Sequence, residues 1–297
     1  MKDEMNETTP PKISVVIPTC HRNDLLALCL DRLAPGTQTL PAEQYEVIVT
    51  DDGSRSTAQE LVQEKYPWAI WTAGPRRGPA ANRNHGAALA QNEWLAFTDD
   101  DCLPAPGWLE AFSAAIEPDV LVYEGKTTCE AGLHSPLQHA PINLTGGWLW
   151  SCNMMIHSVI FREMEGFDSS FPHPHMEDTD FRERLKHDSH AFVFVTASLV
   201  DHPPRKTAWG RRMGATHESG VLFWYKHGHS KPFYRRLFTD IIKSRLATIR
   251  RSNFCPDTFS ALASMCIELG YVAVKISAWE NKYRSYYQHY PPLTGLD

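Results

Sequence analysis

The run Asp99-Asp100-Asp101 follows directly on an apolar stretch, Trp94-Leu95-Ala96-Phe97. A buried strand that ends in three carboxylates concentrates negative charge at one point, and such groups repel one another unless a cation lies between them. The ions that suit carboxylate oxygen are hard and divalent, Mg2+ or Mn2+, and proteins often share them with substrate phosphates. The plain alternative is an acidic turn that caps the next helix. Two further acidic clusters bear on that choice, Asp51-Asp52-Gly53-Ser54 and Glu177-Asp178-Thr179-Asp180. The first has the composition of a turn that starts a helix. The second puts carboxylates in a helix's first turn, where the dipole stabilises them and Asp178 can serve as an N-cap.

Each cluster must be carried by an element. Residues 13–18, 45–50, 68–72 and 94–97 are apolar or β-branched and predict strands, with helical spacing over 25–33, 56–64 and 79–91 between them. This alternation predicts an α/β fold, a mostly parallel sheet flanked by helices on both faces. In such sheets ligands bind at the carboxyl ends of the strands. Thr19, Asp51-Asp52 and Asp99 to Asp101 stand at three of those ends. Further on, 120–123 and 191–195 predict strands, 177–186 a helix and 129–149 a loop, while 152–161 is apolar.

The chain has 297 residues, enough for one large domain with an appendage, and a net charge of −6, which does not suggest a nucleic-acid partner. Residues 203–252 nevertheless hold twelve Lys/Arg against Glu218 and Asp240, a basic segment on an acidic body. The seven cysteines are scattered without a CxxC pair, so neither a disulfide framework nor a zinc cluster is expected. That usage fits a reducing, cytoplasmic compartment. Residues 1–12 are polar, lack an apolar signal core and read as a disordered tail. No uninterrupted run of 18 uncharged apolar residues occurs, so no transmembrane helix is expected.

Taken in order, Ile17-Pro18-Thr19, Asp51-Asp52-Gly53-Ser54, Gly78-Pro79-Ala80-Ala81-Asn82-Arg83-Asn84, Asp99-Asp100-Asp101, Gly166-Phe167-Asp168 and Glu177-Asp178-Thr179-Asp180 resemble glycosyltransferase family 2 over residues 12–205. One departure is Cys20-His21, where the family often shows Tyr-Asn before Arg22. The resemblance implies a GT-A catalytic domain over 13–205 and a metal-dependent, inverting transfer from a nucleotide-sugar donor, UDP being the commonest base. It places Pro18, Thr19, Arg22, Asp52, Arg83 and Asp99 on the donor, with Asp52 accepting from the imide N–H of uracil. Asp100 is counted on the same side, with its carboxylate expected to turn away from the ion. Asp101 is expected on the metal with Asp99, and His202 is a further candidate ligand for Mn2+ or Mg2+. Asp178 is the implied general base, with Glu177 as fallback or as an acceptor contact, and Trp150 and Asn153 stand on the acceptor side. The acceptor implied is a glycan or a lipid-linked or polysaccharide hydroxyl. The loop pair His173-x-His175 is read as structural.

Residues 206–297 read as a helical extension. Apolar residues from Phe233 to Ile249 recur at helical spacing with Arg235, Arg236, Lys243, Arg245, Arg250 and Arg251 beside them. Such a basic amphipathic helix over 232–252 suits either packing against the catalytic domain or an anionic membrane surface at the inner leaflet. Two other classes compete with the transferase. A nucleotidyltransferase would place glycines after its first strand, where Pro18-Thr19-Cys20-His21-Arg22 stands; a catalytically silent nucleotide-sugar-binding scaffold would not need Asp99, Asp101 and Asp178 together.

Overall fold

A computed structural model describes residues 11–229, 233–252 and 255–288. The expected tail over 1–12 thus lies almost wholly outside the described residues. The strands are β1 (Ile13–Thr19), β2 (Tyr45–Asp51), β3 (Ile70–Ala73), β4 (Trp94–Phe97), β5 (Leu103–Pro104), β6 (Val122–Thr128), β7 (Gln138–His139), β8 (Met154–His157), β9 (Val193–Asp201) and β10 (Arg205–Lys206). Eight of them form one sheet in the order β3-β2-β1-β4-β8-β6-β9-β5, and β7 pairs with β10 apart from it. The N-terminal half, β3-β2-β1-β4, is parallel as expected. Beyond β4 the sheet is mixed, because β8 runs antiparallel to both β4 and β6 and β5 antiparallel to β9.

The helices are α1 (Asn23–Leu33), α2 (Gln59–Lys65), α3 (Pro79–Leu89), α4 (Trp108–Ala114), α5 (Ser158–Glu163), α6 (Glu177–His187), α7 (Arg211–Lys226), α8 (Tyr234–Arg251) and α9 (Thr258–Tyr283). Strand β1 shows why helices cover both faces: every side chain in it is buried, and alternate residues face opposite ways. Ile13, Val15 and Ile17 join one core with Leu26, Leu30, Trp108 and Phe112. Val16 joins the other, with Phe97, Phe161, Phe167 and Phe181. Helix α3 starts at Pro79, whose fixed φ suits the first helical position, after Gly78 at φ 89°.

Helices α7, α8 and α9 enclose a third core of Val221, Tyr225, Leu237, Ile241, Val272, Ile276 and Trp279. Part of the apolar stripe of α8 is therefore spent on packing, with Leu237, Ile241 and Ile249 buried while Ile242 and Leu246 are exposed; a membrane surface through 232–252 is not supported. Residues 230–232 lie outside the described residues. The segment Thr258–Tyr286 is long and apolar enough to cross a membrane by length and composition alone. Its interrupting charge, Glu268, faces inward and accepts hydrogen bonds from His217 at 2.7 Å and Arg245 at 2.9 Å.

The C-terminal helices are tied to the sheet domain by a buried charge network. Asp180, fully buried on α6, meets Lys226 at 2.8 Å, His227 at 2.9 Å and Arg184 at 2.9 Å. Lys226 also reaches Asp168 at 2.6 Å. Removing one partner of a buried pair leaves charge uncompensated, at a cost of about 3–5 kcal/mol. Lys226→Met should therefore lower unfolding free energy by about 3 kcal/mol in urea titration, in one transition seen by both near- and far-ultraviolet dichroism. A second transition at lower denaturant would mean that α7 to α9 melt independently.

Candidate active site

The ends of β1, β2 and β4 meet the N-termini of α3 and α6 in one cleft. The first clamp is Asn82 of α3, which donates to the carbonyls of Thr50 at 2.8 Å and Thr19 at 3.3 Å and accepts from Thr50 Oγ1 at 2.6 Å. The second is Asn84, whose amide brackets the backbone of Phe167, accepting from its N–H at 2.9 Å and donating to its carbonyl at 2.7 Å. These two bonds explain why Asn82 and Asn84 flank Arg83 in the sequence. They fix α3 so that Arg83 points into the cleft.

Arg83 is buried, and it holds Asp99 at 2.6 Å and Glu177 at 3.4 Å while lying 5.7 Å above the Phe167 ring. It thereby joins the end of β4 to the start of α6. Glu177 is itself buried, with one carboxylate oxygen lacking a hydrogen-bond partner. Burial, reinforced by the neighbouring Asp178, lifts its carboxyl to about 7. Asp178 is half-buried beside it and accepts from the N–H of Thr179 at 2.8 Å. Its carboxyl is also raised by burial, against the pull of Arg83. Both follow Met176, which sits at φ 77°, a left-handed conformation that costs a non-glycine residue about 1–2 kcal/mol.

The three aspartates after β4 have different surroundings. Asp99 faces Arg83. Asp100 is fully buried and turned inward, accepting from Thr19 Oγ1 at 2.7 Å and pairing with Arg22 at 2.6 Å. The donor-side expectation for Asp100 is corrected accordingly: its side chain bolts the β4 end to β1 and does not open onto the cleft. Asp101 is met by Arg22 at 3.0 Å, His202 at 3.4 Å and Arg205 at 3.6 Å. Burial would raise its carboxyl, but His202 and Arg22 outweigh that and hold it well below the ordinary range.

A divalent ion fits this end of the cleft. Asp101 Oδ1 and His202 Nε2 are both buried, face each other and have no hydrogen-bond partner. Two donors on one ion at ordinary metal–oxygen distances stand about 3 Å apart, close to what is seen. His202 Nδ1 bonds the carbonyl of Pro203 at 2.9 Å, so Nε2 is the ring nitrogen left for a ligand. Although burial opposes it, the facing Asp101 carboxylate raises His202 to about 9. Among the described residues, Asp101, Cys102 and His202 bring their ligand atoms within 4.8 Å of one another.

Just past the end of β2, Asp52 accepts from the N–H groups of Arg76 at 2.8 Å and Gly78 at 3.0 Å. Gly74 must be glycine, because a Cβ there would lie 2.3 Å from Asp52 and 2.2 Å from Asn82. Thr19 is buried at the end of β1, and Pro18 is buried within that strand opposite Thr50. On the other side, Trp148 and Trp150 stack with ring centroids 5.3 Å apart. Trp148 is half exposed, and the buried Trp150 Nε1 has no hydrogen-bond partner. Asn153 does not belong with them. It is buried and spent on the core, accepting from Trp108 Nε1 at 2.8 Å and donating to the carbonyls of Lys126 and Ser198, which corrects the acceptor-side expectation.

Two residues that sequence reasoning missed shape the cleft. Buried Glu124 accepts from the consecutive N–H groups of Gly147, Trp148 and Leu149, the last two at 3.1 and 2.8 Å. An acid inside a strand is the signal that could have found it. The other is Arg205, which follows His202-Pro203-Pro204 and reaches Asp101.

Comparisons with known proteins bear on the family and the fold. The family model Glycosyl transferase family 2 matches residues 14–139. A poly(ribitol-phosphate) beta-glucosyltransferase of Bacillus spizizenii is 37% identical over 95 residues, 30% of this chain and 15% of its own length. The chain thus matches only a small part of that relative. TarS 1-349 of S. aureus, solved in complex with UDP-GlcNAc, superposes with a TM-score of 0.56 at 16% identity, covering 93% of this chain and 89% of that one. The mannosyltransferase PcManGT of Pyrobaculum calidifontis, solved with GDP-Man and Mn2+, gives a TM-score of 0.52 at 17% identity, covering 94% and 83%. These last two likenesses show the fold, GT-A.

The raised Glu177 carboxyl predicts a pH effect. A group whose folded pKa lies above its unfolded value stabilises at low pH, and that contribution is lost as pH rises through the folded value. Stability from this group should fall between about pH 4.5 and about 7. Glu177→Gln should flatten that decline, so melting temperatures of the two proteins should diverge in the variant's favour as pH rises through this window. Parallel curves would show that Glu177 is ionised in the folded chain throughout.

Proposed function

Residues 14–139 match the glycosyltransferase family 2 model, and from that premise we propose that the chain is a metal-dependent inverting glycosyltransferase. It moves a sugar from a nucleoside-diphosphate donor, UDP being favoured, to an acceptor hydroxyl on a glycan or lipid-linked chain. The observation that supports this most is the convergence of two opposed groups on Arg83, the Asp99 side and the Glu177-Asp178 side. Donor chemistry needs the first and acceptor activation the second.

Asp52 accepts from the base, and Thr19 and Arg22 line the same slot. Asp99 holds the ribose or the ion. Asp101 and His202, with Asp99, would hold Mn2+ or Mg2+, which supplies neutralisation of the charge that develops on the leaving diphosphate. Asp178 takes the proton of the acceptor hydroxyl as it attacks; a carboxyl raised by burial is the stronger base for that step. Attack comes from the face opposite the diphosphate, so an α-linked donor gives a β-linked product. Glu177 binds the acceptor and keeps Arg83 in place. Trp150 stands on the acceptor side with Trp148, since indole faces stack well on apolar sugar faces. All seven cysteines are free, which fits work in a reducing, cytoplasmic compartment.

A melting-temperature screen with UDP, GDP, dTDP and CDP, each with and without Mn2+, tests the donor site. Ligand binding to the native state at about a hundred times its Kd adds about 2.7 kcal/mol, so one nucleotide should raise the midpoint by several degrees only when the ion is present. Asp178→Asn should keep that shift and lose transfer by about 100-fold or more. An unshifted midpoint with every pair argues against the reading, and near-wild-type transfer by the Asn variant removes Asp178 from the role of base.

A further inference from the structure

We propose that the loop over 142–150 binds the apolar chain of an amphiphilic acceptor: an alkyl or prenyl tail rests on Ile142 and Leu144 while its sugar reaches Trp148 and the acidic pair of α6. The inference rests on the reading of the cleft as a glycosyl-transfer site, and it chooses a lipid-linked acceptor over a free glycan.

The way the loop is held carries the argument. Asn143 is buried, exchanges both backbone hydrogen bonds with Thr127 at 2.9 Å, donates from its amide to Glu124 at 3.0 Å and accepts from the N–H of Gly146 at 2.8 Å. The Glu124 carboxylate that takes the Asn143 amide also takes the N–H groups of Gly147, Trp148 and Leu149. Arg182, one turn after Asp178 on α6, donates to the carbonyls of Gly147 at 3.2 Å and Trp148 at 3.5 Å. The loop is thus gathered on one buried group and tied to the helix that bears the proposed base. Asn143 is turned inward, while its neighbours Ile142 and Leu144 are 39% and 54% exposed and Trp148 is 48% exposed. A loose loop would fold such side chains onto the protein, whereas this backbone is fixed by its bonds. Large apolar groups held in water on a rigid loop beside a cleft mark a binding surface.

The composition of the loop identifies the ligand. Residues 140–152 contain no charged side chain, so no side chain on it pairs with phosphate or carboxylate. A free glycan presents hydroxyls along its whole length and lays its apolar faces on aromatic rings. Trp148 and Trp150 supply such rings, stacked at 14°. Ile142 and Leu144 are branched and aliphatic, and they offer a glycan neither a ring face nor a hydrogen bond. They suit a hydrocarbon chain, for which each methylene taken out of water improves binding about fourfold. The order along the loop, aliphatic pair and then indole pair, matches an acceptor whose apolar chain precedes the sugar that reacts. Phe259 and Val274, more exposed still, lie on α9 and share none of these ties to α6.

The test is calorimetric titration of the full chain with octyl β-glucoside, below its micelle concentration, and with methyl β-glucoside. The octyl compound should bind about tenfold or more tightly than the methyl one. The double variant Ile142→Ser, Leu144→Ser should weaken octyl β-glucoside by about tenfold or more and leave UDP binding with Mn2+ within about twofold of wild type. Phe259→Ser should leave octyl β-glucoside binding unchanged. All three positions are exposed, so misfolding of these variants is easy to exclude by their melting temperatures. The inference is overturned, and the donor reading left standing, if octyl β-glucoside does not bind, binds no better than the methyl compound, survives the double variant or is lost in Phe259→Ser. Sedimentation of the wild type with phosphatidylcholine vesicles, abolished in the double variant, overturns it by making the loop a bilayer contact. A wild type that binds octyl β-glucoside through the loop but no nucleotide with Mn2+ overturns the transferase reading, and the acceptor role of the loop with it.

Discussion

One buried guanidinium sets the terms for the rest of this structure. Arg83 sits between Asp99 and Glu177 with the Phe167 ring beneath it. Burying charges is costly, and only close pairing returns the cost. Once the fold commits Arg83 to the interior, the end of β4 and the start of α6 must come to it, although Arg83 and Glu177 lie 94 residues apart in sequence. The Asn82 and Asn84 clamps are then understandable as devices that stop α3 from turning, since a small rotation would leave a buried cation unpaired. Packing of Phe97, Phe161, Phe167 and Phe181 supplies a rigid floor under the same point, with the Phe167 and Phe181 rings 4.9 Å apart.

The same logic repeats one helical turn further along α6. Asp180 is buried among Lys226, His227 and Arg184. The two carboxylates at the start of α6 that face the cleft are thus backed by a third that faces away, and the third is neutralised from α7. This makes the last turn of α7 part of what orients Glu177 and Asp178. A helical extension read from sequence as an appendage is, in charge terms, continuous with the acidic motif.

Legibility of the sequence followed burial pattern. Strands β1, β2 and β4 were readable because each is a run of mostly apolar or β-branched residues that ends at, or just before, Thr or Asp, and burial on both faces leaves no alternation to decipher. The later strands were only partly legible: β6 and β9 carry buried polar residues, Glu124, Thr127 and Ser198, which interrupt the apolar signal that marks a strand. Helix α4 was missed; Trp108, Leu109 and Phe112 face the core in seven residues, too short a stretch for periodicity to register. At the site, residue type showed where acids cluster but not which way each turns. Asp100 and Asn153 sit among functional neighbours and are consumed by the scaffold, Asp100 by Thr19 and Arg22 and Asn153 by Trp108 and two carbonyls. Arg205 was passed over since a basic residue in a basic segment carries no local signal; its relation to Asp101 exists only in three dimensions.

The two sides of the cleft are built to different standards. On the donor side, polar groups are fixed by strand ends and by asparagine side chains bonded to two strands at once. On the other side, the chain from Gly146 to Trp150 carries three residues with positive φ, Gly146, Gly147 and Leu149, and one carboxylate, Glu124, gathers the successive N–H groups of Gly147, Trp148 and Leu149. Arg182, one turn after Asp178 on the same face of α6, adds a bond to the carbonyl of Gly147 at 3.2 Å. A loop secured at two points can change its sequence and its exposed indole without disturbing the sheet, whereas the donor side cannot change without breaking the pairing of Arg83. Under the proposed function, this division places the demands of donor chemistry on strand ends and leaves the choice of acceptor to a loop.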